Sequence, residues 1–255
     1  MPNFELNYDE YYVAFLDVLG FKELVMSENK KSELDKYFNL VSGSILAIKN
    51  RKKPLESVLI SDSVVLAYPK RSGVMDDLRE LCFAVARIQY ALAVNGFWLR
   101  GGISSGKLSI EQSKNIVAGP ALVKAYRLEN IAVYPRVIVD PSLILDFSTI
   151  KREFTTALNT HQTPDWDGNL IWRDSGGHVL LNLDDDVMFI DYFAPLKTNF
   201  SIARDDVFWK IRDQIYRKQE NYAKYRWLAQ YLLLSIDEAQ LKADPAFEKQ
   251  ITGIF

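Results

Sequence analysis

Four stretches of almost continuous apolar residues alternate with segments whose apolar positions recur every three or four residues, the pattern of buried strands separated by amphipathic helices. Tyr12 to Leu19 is apolar apart from Asp17 and runs into Gly20, which predicts a buried strand closing in a turn. Leu34, Tyr37, Phe38, Val41, Ile45 and Ile48 then predict a helix that ends in the basic turn Lys49-Asn50-Arg51-Lys52-Lys53-Pro54. Ser57 to Tyr68 reads as a second strand with Ser61-Asp62-Ser63 in its middle. Leu78, Leu81, Cys82, Val85, Ile88 and Leu92 mark a second helix, stopped by Asn95-Gly96, with Cys82 on its apolar stripe as a core residue. Phe97 to Ile110 forms a third strand, and Gly101-Gly102 inside it marks a place where backbone must come close to another part of the chain. Ile116 to Glu129 reads as helical with a Gly119-Pro120 start, and Val133 to Val139 as a further strand.

Beyond Asp146 the character changes. A polar, turn-rich insertion over about 155–178 precedes an expected hairpin, Val179 to Leu183 and Val187 to Phe193, around Asp184-Asp185-Asp186. Those three carboxylates read as a solvated turn rather than a metal site. One or two helices follow over 205–241, carrying Trp209, Tyr216, Tyr222, Tyr225, Trp227 and Tyr231, whose rings are expected to pack the helices against the sheet or a partner. The element order predicts an α+β or α/β domain over residues 1–200 and a helical C-terminal extension over 201–255.

Composition narrows the chemistry. The chain has 255 residues, 48% hydrophobic and 25% charged, enough for one ordinary core or two small ones, which excludes a disordered or fibrous protein. Its net charge of -2 supplies no general attraction to nucleic acid or anionic membrane. No run approaches the roughly 18 apolar residues of a membrane span, and no signal-peptide stretch follows Met1, so no membrane or nucleic-acid partner and a cytoplasmic location are expected. One cysteine and two histidines, His161 and His178, are too few and too scattered for a zinc site, and both histidines fall in the polar insertion, where surface roles are expected. Carboxylates, hydroxyls, Arg and Lys remain, and the metals suited to carboxylate oxygen are Mg²⁺ and Mn²⁺.

Asp17 and Asp62 are therefore the residues that need a reason. A carboxylate in an apolar strand is costly unless it is paired or binds a cation. One alone reads as structural; two on adjacent strands of one sheet make a metal site the better reading. Side by side they could hold two divalent ions about 3.5–4 Å apart, the arrangement that activates an attacking oxygen and steadies a leaving phosphate. Leu19, Gly20 and Phe21, the turn after Asp17, would present backbone N–H groups to a phosphate.

The same residues resemble a known family. Phe15-Leu16-Asp17-Val18-Leu19-Gly20-Phe21 is similar to the first metal motif of the class III nucleotidyl cyclases, and Ser61-Asp62-Ser63 stands where that family has Gly-Asp on the next hairpin. Leu99-Arg100-Gly101-Gly102-Ile103-Ser104-Ser105-Gly106 resembles its Arg-x-Gly-Ile-x-x-Gly strand, and Val117-x-Gly119 with Ala125-x-Arg127-Leu128-Glu129 resembles the segment that follows. The four motifs, in order, cover residues 11 to 140. The resemblance implies a ferredoxin-like α+β domain, acting as a head-to-tail homodimer with nucleoside triphosphate at the interface. It also implies two divalent ions, Mg²⁺ or Mn²⁺, held by Asp17 and Asp62 with Val18 beside them, and a catalytic Arg127 contributed by the partner copy to the α-phosphate.

Three departures bear on substrate. Val123 occupies the position of the family's ribose-orienting Asn, and Val58 and Ile116 occupy those of its purine-reading Lys and Asp. Without buried polar partners a purine edge is poorly discriminated. The pattern resembles the bacterial Pycsar cyclases, which implies cyclic UMP or cyclic CMP as product, UTP slightly ahead of CTP as substrate, a role in antiphage defence, and a separate effector activated by the product. Asn115, beside the lost purine position, is the candidate base reader, against the plainer reading of a surface amide. The alternatives are an adenylate or guanylate cyclase that reads its base through other residues, or an inactive cyclase-like module for sensing or dimerisation. A diguanylate cyclase is disfavoured because Gly-Gly-Asp-Glu-Phe is absent and the corresponding residues are Ile60-Ser61-Asp62-Ser63-Val64.

Overall fold

A computed structural model of the chain describes residues 6–50, 54–71, 75–147, 149–160, 166–172, 187–217 and 219–255. Its first half runs β1 (Asp9–Val18), α1 (Phe21–Met26), α2 (Lys31–Lys49), β2 (Glu56–Ile60), β3 (Ser63–Pro69), α3 (Met75–Val94) and β4 (Leu99–Glu111). These strands lie in the order β2-β3-β1-β4, all neighbours antiparallel, which is the ferredoxin-like α+β arrangement expected from the sequence. Next come β5 (Ile116–Ala118), antiparallel to the far end of β4, α4 (Pro120–Ala132) and β6 (Val137–Val139), parallel to β4 at Gly101 to Ile103.

Two expectations are corrected. Ser57 to Tyr68 is a hairpin rather than one strand, because Ser61 adopts a left-handed φ of 58° and the chain reverses through Ser61-Asp62. Asp62 therefore sits in the turn, not inside a strand. Ile116 to Glu129 is likewise not wholly helical. Its first three residues pair with β4, and the helix begins only after Gly119, with Pro120 supplying a preset φ at its first position.

Alternation along β1 divides the core into two faces. Tyr12, Ala14, Leu16 and Val18 face α2 and α3, whose Tyr37, Val41, Leu78, Leu81, Val85 and Leu92 bury against them. Cys82 lies among these, fully buried, and burial pushes its thiol up to about 12, the inert core cysteine expected. On the opposite face Tyr11, Val13 and Phe15 pack with Val58, Val65, Leu108 and the Ala121 and Ala125 of α4. Gly102 permits this. A Cβ there would collide with Leu128 Cβ and come within 2.7 Å of the Ala125 carbonyl, so α4 lies on β4 only because the position has no side chain.

The remaining helices are α5 (Leu143–Asp146), α6 (Lys151–Asn159), α7 (Phe200–Ile202), α8 (Phe208–Arg217), α9 (Tyr222–Ser235), α10 (Glu238–Ala243) and α11 (Pro245–Thr252), with a π-helical turn at Ala203–Val207 joining α7 to α8. The C-terminal part thus holds more helices than the one or two expected. They share a buried cluster with Trp98, just before β4, Ile138 of β6 and Phe189. Tyr225, Trp227 and Tyr231 enter it, as expected, whereas Trp209, Tyr216 and Tyr222 remain exposed. His161, His178, Asp184-Asp185-Asp186 and the 179–183 half of the expected hairpin lie outside the described residues. In the other half, Phe189 and Ile190 make isolated bridges to Ile138 and Ile171.

One buried polar link ties the C-terminal helices to this cluster. The Tyr231 hydroxyl donates to Asp191 Oδ1 at 2.7 Å and accepts from the Phe193 N–H at 3.0 Å. Burial raises the Asp191 carboxyl to about 6, with the Tyr231 hydrogen bond opposing the shift. The folded state thus holds this proton more tightly than the unfolded chain. Its stabilising contribution is present at low pH and is lost as pH rises from about 4 to about 6. Asp191→Asn is expected to flatten that window in urea unfolding, while Tyr231→Phe should cost about 2–3 kcal/mol at pH 7 and less at pH 4.

Candidate active site

Asp17 continues the odd-numbered line of β1 onto the α4 side of the sheet. It stands opposite Ser63 of β3 and opposite Arg100 of β4. The β2–β3 turn therefore delivers Asp62 next to it, one residue before its register partner. The Tyr37 hydroxyl, reaching from α2, donates to the Asp62 carbonyl at 3.2 Å and holds that turn. So the two aspartates meet as expected, but through a hairpin turn rather than through two strand interiors.

Two charged side chains complete the cluster, neither singled out from sequence. Arg100 Nε lies 3.4 Å from Asp17 Oδ2 and also pairs with Glu129 Oε1, a carboxylate of α4 that is only 3% exposed. Both residues lay inside the quoted motifs, Arg100 next to Gly101 and Glu129 two residues after Arg127. Burial raises the Asp17 carboxyl above its ordinary range; Arg100 opposes this and the negative charge of Asp62 adds to it. Glu129 is raised in the same way, by burial first, with Arg100 opposing and Asp17 adding. Lys224 of α9 also lowers both carboxyls electrostatically, so a C-terminal helix reaches the field of this site.

Crowded carboxylates whose charge is penalised by burial and by each other are what an added cation relieves. Among the described residues no third His, Cys, Asp or Glu joins the pair to make a fuller ligand set. Two carboxylates completed by substrate phosphate oxygens and water suit Mg²⁺, which keeps part of its hydration shell, and the donor set therefore fits a hard divalent ion.

Gly20 turns the chain from β1 into α1 with φ 80°, a left-handed conformation, and a Cβ there would meet nothing within 4 Å. The requirement is conformational rather than spatial. Leu19 donates its N–H to the Trp98 carbonyl at 2.9 Å, so its amide is already spent. No hydrogen bond among the described residues engages the N–H groups of Gly20, Phe21 or Lys22.

The other sequence-derived positions lie elsewhere. Val123 and Arg127 share an exposed face of α4 with Tyr126, whose ring meets Phe15 edge-on at 5.4 Å. Val58 is 1% exposed within the apolar cluster under α4, Ile116 is half-buried on β5, and Asn115 is exposed in a left-handed conformation.

No family model matches the chain, and no curated protein matches it by sequence. Among solved structures it is similar to the adenylyl cyclase CyaB of P. aeruginosa, at 17% identity over 57% of this chain and 83% of that one, with a TM-score of 0.44. It is similar to the guanylyl cyclase Cya2 at 14% identity, 73% and 93% coverage and a TM-score of 0.47. A third likeness is to the guanylate cyclase domain of RhGC from Catenaria anguillulae in complex with GTP, at 17% identity, 55% and 83% coverage and a TM-score of 0.45. The fold class stated above rests on the strand order of this chain itself. The molecule is an α+β protein with a carboxylate pair at the end of its central strand. No described helix is long and apolar enough to cross a membrane.

Proposed function

We propose that the protein is a nucleotide cyclase acting on a pyrimidine nucleoside triphosphate, UTP ahead of CTP. The observation that carries the reading is the meeting of Asp17 and Asp62 beside Gly20, whose following amides have no partner among the described residues. The ribose 3′-oxygen attacks the α-phosphorus, its proton passes to solvent, the bond to the bridging oxygen breaks, and pyrophosphate leaves. Asp17 and Asp62, with the Val18 backbone beside them, hold Mg²⁺ or Mn²⁺. When bound, such ions favour the deprotonated 3′-oxygen and neutralise phosphate charge. Gly20 and Phe21 donate backbone hydrogen bonds to the phosphates, while Arg100 keeps Asp17 and Glu129 in place.

Arg127 stabilises charge on the α-phosphate from a second copy of the chain. Its exposure supports a site completed by a homodimer. The exposed Val123, Tyr126 and Ile131 around it on α4 supply apolar surface for that contact. Val58 and Ile116 offer no side-chain hydrogen bond, and Val58 is turned into the core, which supports a site without purine readout. Asn115 remains the polar group available near a base. A cyclic pyrimidine nucleotide made this way would serve as a signal in antiphage defence through a separate effector.

Purified protein incubated with Mn²⁺ and each of the four ribonucleoside triphosphates, with products identified by mass spectrometry, tests the reading. Cyclic UMP or cyclic CMP with pyrophosphate is the expected outcome. Product from ATP or GTP alone would replace the pyrimidine assignment by a purine one, and no product with any triphosphate would favour an inactive module.

A further inference from the structure

A carboxylate shut away from solvent beside Asp17 and Asp62 calls for an account. The Glu129 side chain is 4% exposed, against 19% for Asp17 and 26% for Arg100. It stands where α4 rests on β4, so closely that a Cβ on Gly102 would come within 3.3 Å of the Glu129 backbone nitrogen. Its buried Oε1 accepts no hydrogen bond among the described residues, so its charge is compensated by the Arg100 guanidinium rather than by a donor of the core. Burying such a charge is costly, and an apolar residue of similar volume would hold the helix on the strand at least as well. Stability alone therefore gives no reason for an acid here.

Arg100 supplies one. Antiparallel register sets it directly opposite Asp17, where a full ion pair would be expected. The guanidinium is instead drawn to Glu129: its Nε lies closer to Glu129 Oε1 than to Asp17 Oδ2, which stands at 3.4 Å, beyond the usual length of such a bond. An arginine bound tightly to Asp17 would occupy an oxygen that a metal needs and would repel the ion as well. Held by Glu129, it leaves the Asp17 carboxylate free to take a second cation. Charge balance points the same way. Asp17, Asp62, Glu129 and Arg100 together carry two net negative charges when ionised, which match a divalent ion; without Glu129 they carry one.

We propose that Glu129 is a positioning residue for the metal site: by engaging Arg100 it keeps the guanidinium from neutralising Asp17, and so sets the affinity of the two aspartates for a divalent cation. The inference rests on the metal site of the cyclase reading and extends it to a residue that itself holds neither metal nor substrate.

The test is titration of the full chain with Mn²⁺ in the absence of nucleotide, with the free ion followed by electron paramagnetic resonance, so that no turnover is required. The native protein should bind and Asp62→Ala should not. Glu129→Gln should weaken binding by about tenfold to a hundredfold, the size found when a group supporting a metal ligand is lost. Arg100→Gln removes the competing cation and should tighten binding by about threefold or more. With both substitutions combined, affinity should return to within about threefold of the native value, because each offsets the other. An ion pair that served only to fasten α4 to β4 would weaken binding when either partner is changed, with no recovery in the double variant. Circular dichroism checks the fold, and should Glu129→Gln unfold, Arg100→Gln decides by the sign of its effect. Unchanged affinity in Glu129→Gln, unchanged or weaker binding in Arg100→Gln, or a double variant as weak as Glu129→Gln overturns the proposal. The readings fail separately. A protein that loses Mn²⁺ in Asp62→Ala but keeps it in Glu129→Gln refutes only the role of Glu129, whereas a native protein that binds no Mn²⁺ refutes the metal site and that role together. Affinities that follow Glu129 and Arg100 as expected, without cyclic nucleotide from any triphosphate, refute only the cyclase.

Discussion

Asp17→Asn is expected to lower nucleotide turnover by about a thousandfold while leaving the fold intact, because the substitution keeps the shape of the side chain and removes a charge that metal binding requires. The structure argues against a large stability cost. The Asp17 carboxyl is raised by burial and by Asp62, so at neutral pH its charge is already penalised in the metal-free protein. A raised carboxyl stabilises the folded state most at low pH, and that contribution is lost as pH rises above the ordinary range. An amide avoids this loss. Arg100 keeps its pairing with Glu129 in the variant. Thermal unfolding supplies the control. Mn²⁺ at a hundredfold excess over its Kd should stabilise the native protein by about 2.7 kcal/mol, and should do little for Asp17→Asn. Asp62→Ala should behave in the same way, and a variant of either residue that kept full turnover would remove it from the metal site.

Arg127→Ala carries the second large effect, a loss of about a thousandfold or more, the size associated with an arginine placed on transferring phosphate. An intersubunit origin has a sharper consequence than the loss itself. Arg127→Ala and Asp62→Ala, each inactive alone, should regain activity when mixed. In a statistical mixture one site in about four combines an intact aspartate from one copy with an intact arginine from the other. Recovery near that fraction of native turnover supports the shared site. Two inactive proteins that stay inactive when mixed, though sedimentation shows that they exchange subunits, would assign Arg127 to some other task.

Much of the site was readable because its residues violate the pattern around them. Asp17 stands out as a charge in an apolar strand, and Gly20 as the residue that ends it. Cys82 was equally legible, since a helical stripe of Leu78, Leu81, Val85 and Ile88 leaves it nowhere but the core. Asp62 was read as lying inside a strand, whereas it sits in the β2–β3 turn beside Asp17. Ser61-Asp62 lacks the glycine that usually announces a tight hairpin, so the reversal at Ser61 was hidden inside an apolar run. The strand β5 was missed because three residues, Ile116 to Ala118, are too few for periodicity to separate strand from helix.

The sequence by itself determined the alternation of strands and helices, the two carboxylates and the glycines that allow close approach, because each of these is a local property of backbone preference or of burial. The tertiary structure decided which charges meet. Arg100 reaches Asp17 through antiparallel register, Glu129 joins them because α4 rests on Gly102, and Lys224 arrives from a helix far along the chain. Such encounters depend on how separate elements pack on one another, and local pattern contains no term for the field that one element exerts on another.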